Sequence, residues 1–181
     1  GADAVMLSAE SAAGQYPREA VATMDAIAQQ IEGHPTYREV IEANTRVIRR
    51  STADYIVAAA RSVAESGNIK AICCFTHSGT TAALTARERP QVPILGLTPL
   101  RDTARRLCLH WGVNCFLTTG EVNRFKMAVV SAAHFARLGG YAGPDDQVVV
   151  TAGVPFNIPG TTNILRVAPC DEKLIFSTEP G

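Results

Sequence analysis

Ala71-Ile72-Cys73-Cys74-Phe75, then Thr76-His77-Ser78-Gly79-Thr80-Thr81, then Ala82-Ala83-Leu84-Thr85-Ala86 stand end to end, and that order decides the fold. Five uncharged, largely apolar residues form a short strand. Six hydroxyl, imidazole or glycine residues turn the chain, and a helix-forming segment starts at once. A helix start leaves its first N–H groups without intrahelical acceptors, and the aligned peptide dipoles place partial positive charge there. Such a bend suits an anion. Gly79 admits a ligand close to the backbone, and Thr76, Ser78, Thr80 and Thr81 each carry a hydroxyl donor. His77 sits among them. No Lys closes the loop, so it is not the nucleotide-triphosphate loop in which Gly precedes Lys-Ser or Lys-Thr. A helix cap from Thr76 or Ser78 would use the same residues, and spacing alone leaves both readings open.

Outward from this stretch the chain keeps a strand–helix rhythm. Upstream, Ser51 or Thr52 caps a helix with Asp54 in its first turn, Ile56, Ala59, Ala60 and Val63 as its buried stripe, and Gly67 at its end. Downstream, the helix near Thr80–Arg89 stops at Pro90. The strand Pro93–Leu97, a helix near Asp102–Leu109 and the strand Val113–Leu117 follow. A long helix then carries Val122, Phe125, Val129, Ala132 and Ala136 on one face and ends at Gly139-Gly140. The strands Gln147–Ala152 and Asn163–Val167 complete the pattern, with a tail that has room for a short strand at Leu174–Phe176. Alternation of this kind predicts an α/β, three-layer domain around a mostly parallel five-stranded sheet. The last connection, Gly153 to Asn163, is too short for a helical crossover, so the last strand is expected antiparallel at the sheet edge. In open parallel sheets ligands bind beyond the carboxyl ends of the strands. That rule selects Thr76–Thr81 and the Gly153–Asn163 loop, where Val154, Pro155, Gly160 and Thr161 are candidates. A Pro/Gly-stiffened connection reads equally well there.

Residues 1–17 have a different character. Ala4–Leu7 is a continuous apolar run of the type found in a strand buried on both faces. Ser8-Ala9-Glu10-Ser11 follows at its carboxyl end, and Pro17 starts a helix with Ala20, Met24, Ile27 and Ile31 at helical spacing. One strand and one helix cannot close a barrel. Gly33-His34-Pro35 and a polar, Arg-rich stretch to Arg50 read as a hinge, in which Tyr37, Val40 and Ile41 could cover a neighbouring surface. The expected division is 1–45 as a barrel remnant (strand and helix) with its hinge, and 46–181 as the α/β domain. With no initiator Met, the chain reads as a piece of something longer.

Composition narrows the function classes. Of the 181 residues, 46% are apolar and 19% charged, with Lys plus Arg and Asp plus Glu both at 17. That balance gives no footprint for nucleic acid or an anionic membrane. No apolar run is long enough to span a bilayer. The five cysteines, Cys73, Cys74, Cys108, Cys115 and Cys170, and the four scattered histidines make no metal-ligand spacing, so no metal site is expected. A reduced, cytoplasmic protein is the expectation. Cys73 and Cys74 precede the anion bend, but Phe75 intervenes and no Arg follows. A nucleophilic thiol in the bend is therefore set aside in favour of buried strand residues.

The run Gly1-Ala-Asp-Ala-Val-Met-Leu-Ser-Ala-Glu-Ser-Ala-Ala-Gly-Gln-Tyr-Pro17 resembles the segment of pyruvate kinases where the eighth barrel strand passes into the eighth barrel helix. There the pattern is Asp-Ala-Val-Met-Leu-Ser, Gly or Ala, Glu-Thr or Glu-Ser, then Gly-x-Tyr-Pro. The later segments continue the likeness into the C-terminal allosteric domain. The resemblance implies that the whole protein converts phosphoenolpyruvate and ADP to pyruvate and ATP in glycolysis. It implies Mg²⁺ or Mn²⁺ and K⁺ in the full-length enzyme and a homotetramer, with no cofactor in this fragment. Ser8 and Glu10 would sit at the active-site rim, where capping a helix is the competing role; the fragment alone is expected to be inactive. The Thr76–Thr81 bend would grip an effector's phosphate while Val154, Pro155, Gly160 and Thr161 close over it. Fructose 1,6-bisphosphate-activated forms often carry Arg where Thr80 stands and Trp-Arg where Val154-Pro155 stands. The wording here is more similar to enzymes answering to AMP or sugar monophosphates, with charge available from Lys70 or Arg124. The rival reading is a stand-alone sensor of phosphorylated metabolites without catalysis.

Overall fold

The computed structural model describes residues 1–48, 51–118, 124–156, 158 and 160–171, with the backbone alone for 44–48. The chain divides into two compact units, Gly1–Ile48 and Arg49–Gly181.

The first unit is helical: α1 (Ala9–Ala12), α2 (Pro17–Glu32) and α3 (Pro35–Ile48). Ala4–Leu7 joins no sheet among the described residues. A parallel strand needs neighbours to take its N–H and C=O groups, and this unit offers none. Val5 and Met6 lie exposed. Most of the stretch read as a hinge is helix α3. Pro35 suits a first helical position, and Tyr37, Val40 and Ile41 fall at helical spacing, although only Ile41 is buried. The polar residues that suggested a linker are the helix's outer side, where Arg38 and Glu42 pair one turn apart at 3.4 Å. On α2, Ile27 and Ile31 of the expected stripe remain more than half exposed.

In the second unit Ser51 caps α4 (Thr52–Ser66): its hydroxyl accepts the Asp54 N–H, and the Asp54 carboxylate accepts the Ser51 N–H. Then come β1 (Ile69–Phe75), α5 (Thr80–Arg87), β2 (Ile94–Thr98), α6 (Arg101–Leu107), β3 (Val113–Leu117), α7 (Phe125–Leu138), β4 (Gln147–Gly153) and β5 (Thr162–Pro169). The sheet runs β3-β2-β1-β4-β5. The first four strands are parallel, with Cys73 level with Leu95 on one side and Val150 on the other, and β5 runs antiparallel to β4. Five strands with an antiparallel last one match the expectation.

Alternation along the central strands fills two cores. Cys73, Phe75, Leu95, Leu97, Val148 and Val150 face α7, which meets them with Ala128, Val129, Ala132, Ala133 and Ala136. Ile72, Cys74, Ile94 and Val149 face the other way, onto Ala60 and Ala64 of α4, Ala82 and Ala86 of α5, and Leu107 of α6. Alanine-rich faces let these helices sit close to the sheet. Two details of the helices depart from expectation. The buried stripe of α4 is Ala53, Val57, Ala60 and Ala64, while Ala59 is exposed. Helix α5 ends at Arg87 because Arg89 precedes Pro90, is barred from the helical region and sits at φ +50°. Val122 and Leu174–Phe176 lie outside the described residues.

Candidate functional site

Strand order reverses direction at β1, whose neighbours are β2 on one side and β4 on the other. The crevice beyond the carboxyl ends at such a point is where open α/β sheets place ligands. A cavity of about 280 Å³ lies there. Its floor is Phe75 and Leu97 at the strand ends. One wall is the bend, through Thr76, His77, Ser78, Thr80 and Thr81. The opposite wall is the β4–β5 loop, through Gly153, Phe156, Ile158, Gly160 and Thr161. Two loops far apart in sequence therefore face each other.

The bend is self-organised. Thr76, buried, accepts the Gly79 N–H on its hydroxyl at 2.9 Å. Gly79 occupies the left-handed region at φ +94°, and a Cβ there would stand 3.3 Å from Leu107 Cδ2, so glycine is required twice over. From outside, α6 holds the bend's carbonyls: the Thr103 hydroxyl donates to His77 O at 2.9 Å, and the Arg106 guanidinium donates to Ser78 O at 3.3 Å. Thr81, buried, pairs its hydroxyl with that of Thr162 at 2.6 Å, tying α5 to β5. Ser78 and Thr80 are exposed and share a 2.9 Å hydroxyl contact. Of the four hydroxyls expected to serve a ligand, two are thus structural and two face solvent. Among the described residues, the N–H groups of Thr81 and Ala82 in the first turn of α5 have no protein acceptor. The bend keeps two amides for another acceptor.

The opposite loop begins with a cis Val154–Pro155 bond. Asn163 spans its base, its amide oxygen accepting the Val154 N–H at 3.0 Å and its amide nitrogen donating to Val154 O. The Thr161 hydroxyl donates to Ile158 O at 2.7 Å. Of the residues foreseen in this loop, Gly160 and Thr161 line the cavity, and Val154 and Pro155 do not. Sequence reading missed Phe156, Ile158, Pro99, Leu100 and Thr118. The last three directly follow β2 and β3, and that position was the available signal.

The electrostatics of the cavity are simple. Its described lining holds no Asp, Glu, Lys or Arg, and His77 is its one titratable residue. An anion would meet hydroxyls and helix-terminal amides with no carboxylate opposing it. The two cations named from sequence are misplaced. Lys70 lies at the opposite end of β1, 3.8 Å from Asp146, and Arg124, at the start of α7, is not in the lining. Arg106 touches the bend from α6, at Ser78 O. Ser8 and Glu10 belong to the first unit, both exposed; the Glu10 carboxylate accepts the Ser8 N–H at 3.2 Å at the start of α1. Cys73 and Cys74 are fully buried. Burial, with Cys74 and Cys170 nearby, pushes the Cys73 thiol well above its usual range. Burial raises Cys74 too, against hydrogen bonds from Thr151 and Thr85. Neither is a nucleophile for the cavity. Among the described residues no three His, Cys, Asp or Glu gather as a metal site, so the Mg²⁺ or Mn²⁺ implied by the resemblance finds no ligand set in them.

The family model for the pyruvate kinase alpha/beta domain matches residues 54–168. The chain belongs to that family. Curated pyruvate kinases similar to it include one from Methylorubrum extorquens, 45% identical over 93% of this chain and 35% of the relative. One from Agrobacterium vitis is 44% identical over 92% of this chain and 35% of the relative. The chain thus spans about a third of the length of the pyruvate kinases it matches. Among solved structures, a pyruvate kinase from Cryptosporidium parvum shares the fold, with TM-score 0.77 at 24% identity over 92% of this chain and 32% of that one.

Proposed function

We propose that this chain is the C-terminal part of a pyruvate kinase, the enzyme that passes the phosphoryl group of phosphoenolpyruvate to ADP, and that its α/β unit is the enzyme's regulatory and oligomerisation domain. In this reading residues 1–45 belong to the catalytic barrel, with Ser8 and Glu10 at the active-site rim. Metal and K⁺ serve the whole cytoplasmic enzyme, not the α/β unit, and the chain alone turns over no substrate. The effector is a small molecule with one phosphate. The supporting observation is a cavity at the β1–β4 switch point walled by hydroxyls and two open amides, whose described lining holds no cation for a second phosphate. Charge-assisted hydrogen bonds are roughly twice as strong as neutral ones, so a bisphosphate gains little here. The apolar side, with Leu97, Pro99, Leu100, Phe156 and Ile158, favours AMP over a hydroxyl-rich sugar monophosphate.

Calorimetric titration with AMP, ribose 5-phosphate, glucose 6-phosphate and fructose 1,6-bisphosphate tests this. AMP should bind tightest. Ser78→Ala with Thr80→Ala should weaken it roughly tenfold to a hundredfold, the sum of two hydrogen bonds at about 0.5–1.5 kcal/mol each. Equal affinity in the double variant would remove the site.

A further inference from the structure

One polar group of the cavity, on the side away from the β4–β5 loop, is left over. Thr118, the residue after β3, is 7% exposed and lines the cavity. Its N–H donates to Thr98 O at 2.9 Å, which carries the β2–β3 ladder one rung past the end of β3. Its hydroxyl makes no hydrogen bond to any of the described residues, and it opens on the cavity rather than being sealed in the interior. The other buried hydroxyls of the lining are engaged, Thr76 with the Gly79 N–H and Thr81 with Thr162. Native folds rarely leave a buried polar group without a partner. Around Thr118 the wall is apolar, through Leu97, Pro99 and Leu100. The Thr98 hydroxyl accepts the Leu100 N–H at 3.3 Å and so holds the turn after β2 in place.

We propose that Thr118 reads the base of a nucleoside monophosphate: its hydroxyl bonds the polar edge of the base, and Leu97, Pro99 and Leu100 cover the ring. This rests on the reading of the bend as a phosphate site. The sheet sets the distance. Thr118 follows β3, and the bend that leads into α5 follows β1, two strands away across β2. Two strand spacings are about 10 Å, close to the reach of a nucleotide from its phosphorus to the outer edge of its base. A phosphate on the open Thr81 and Ala82 amides therefore brings a base to Thr118, whereas ribose 5-phosphate stops short. On the loop side the hydroxyls of Thr161 and Thr162 are already committed, to Ile158 O at 2.7 Å and to Thr81 at 2.6 Å.

A hydroxyl donates or accepts as its partner requires. Thr118 therefore registers that a polar base edge is present without separating an amino from a carbonyl substituent. AMP and inosine 5′-monophosphate are held alike, and both more tightly than the sugar phosphate they share.

Calorimetric titration of the full chain with AMP, inosine 5′-monophosphate and ribose 5-phosphate, in the parent, Thr118→Val and Thr118→Ser, tests this. Thr118→Val keeps the shape and removes the hydroxyl. It should bind both nucleotides roughly threefold to tenfold more weakly, the size of one neutral hydrogen bond, and ribose 5-phosphate as the parent does. Thr118→Ser should bind AMP as the parent does. The urea midpoint of ligand-free Thr118→Val should equal or exceed the parent's, because the hydroxyl removed has no partner among the described residues. Unchanged AMP affinity in Thr118→Val overturns the proposal. So does an equal loss for AMP and ribose 5-phosphate, a lowered urea midpoint, or a parent preference of more than tenfold between the two nucleotides. A parent that binds ribose 5-phosphate as tightly as AMP removes the base subsite and leaves the bend a phosphate site. A parent that binds none of the three removes the phosphate reading of the bend, and this proposal with it.

Discussion

Gly79 and Thr81 show how little of the bend is free to vary. Gly79→Ala puts a side chain at φ +94° and 3.3 Å from Leu107; left-handed strain alone is about 1–2 kcal/mol. Thr81→Val leaves the buried Thr162 hydroxyl without its 2.6 Å partner, a cost of about 1–3 kcal/mol. Urea unfolding of both variants should show losses of that size, while Ser78→Ala, at an exposed position, should fall within about 0.5 kcal/mol of the parent. A Ser78→Ala loss as large as that of Thr81→Val would mean the two hydroxyls had been assigned the wrong roles. Sequence marked all these residues as one hydroxyl-rich group. It could not sort them, because the division depends on Thr162, eighty-one positions away.

At the scale of elements, strands were the legible part. Val113–Leu117 was read to the residue, and β5 was placed as an antiparallel edge because a short loop permits nothing else. Helices were read less well where the apolar signal was carried by alanine. The face of α4 was misjudged because Ile56 outweighs Ala53 in any hydrophobic pattern, while the sheet prefers the smaller residue. Helix α3 was missed because its exterior is polar enough to pass for a linker. The opposed loop was found with Gly160 and Thr161, but Phe156 and Ile158 were not singled out, since spacing does not encode which residues of a loop turn inward. Strand β5 is our candidate for the contact of the proposed oligomer. Among the described residues it has one strand neighbour, β4, and Val167 is partly exposed on it. An edge of this kind pairs readily, and a charge placed on it prevents pairing. Sedimentation should show self-association of the parent chain and a monomer for Val167→Lys. A parent chain that stays monomeric at high concentration would direct attention to another surface.

The whole molecule should respond to alkali through its thiols. Burial raises Cys73, Cys74, Cys115 and Cys170, the last to about 11, while an unfolded thiol ionises near 8.5. A raised folded-state value means that the fold holds its protons longer than the unfolded chain does. The thiol contribution is therefore complete below about pH 8.5, and it is lost as pH climbs from there through the folded-state values. Each such thiol removes about 1.4 kcal/mol of stability per pH unit in that window. Urea midpoints measured from pH 7 to 10.5 should be level at first and then fall, less steeply in Cys73→Ala. A midpoint that stays flat throughout would show the thiols to be solvated. The family fold was legible at this scale from the first seventeen residues and the strand rhythm, and the strand-end rule picked out both loops, while the shape of the chamber between them was not legible.

The side chain of Asn163 engages both the N–H and the C=O of Val154, imitating one more rung of the β4–β5 ladder. The described residues between that rung and Thr162, namely 155, 156, 158, 160 and 161, are consequently a cassette mounted on a finished sheet. Segments of other length or polarity can be exchanged there to admit a different guest molecule, with the frame beneath left as it is.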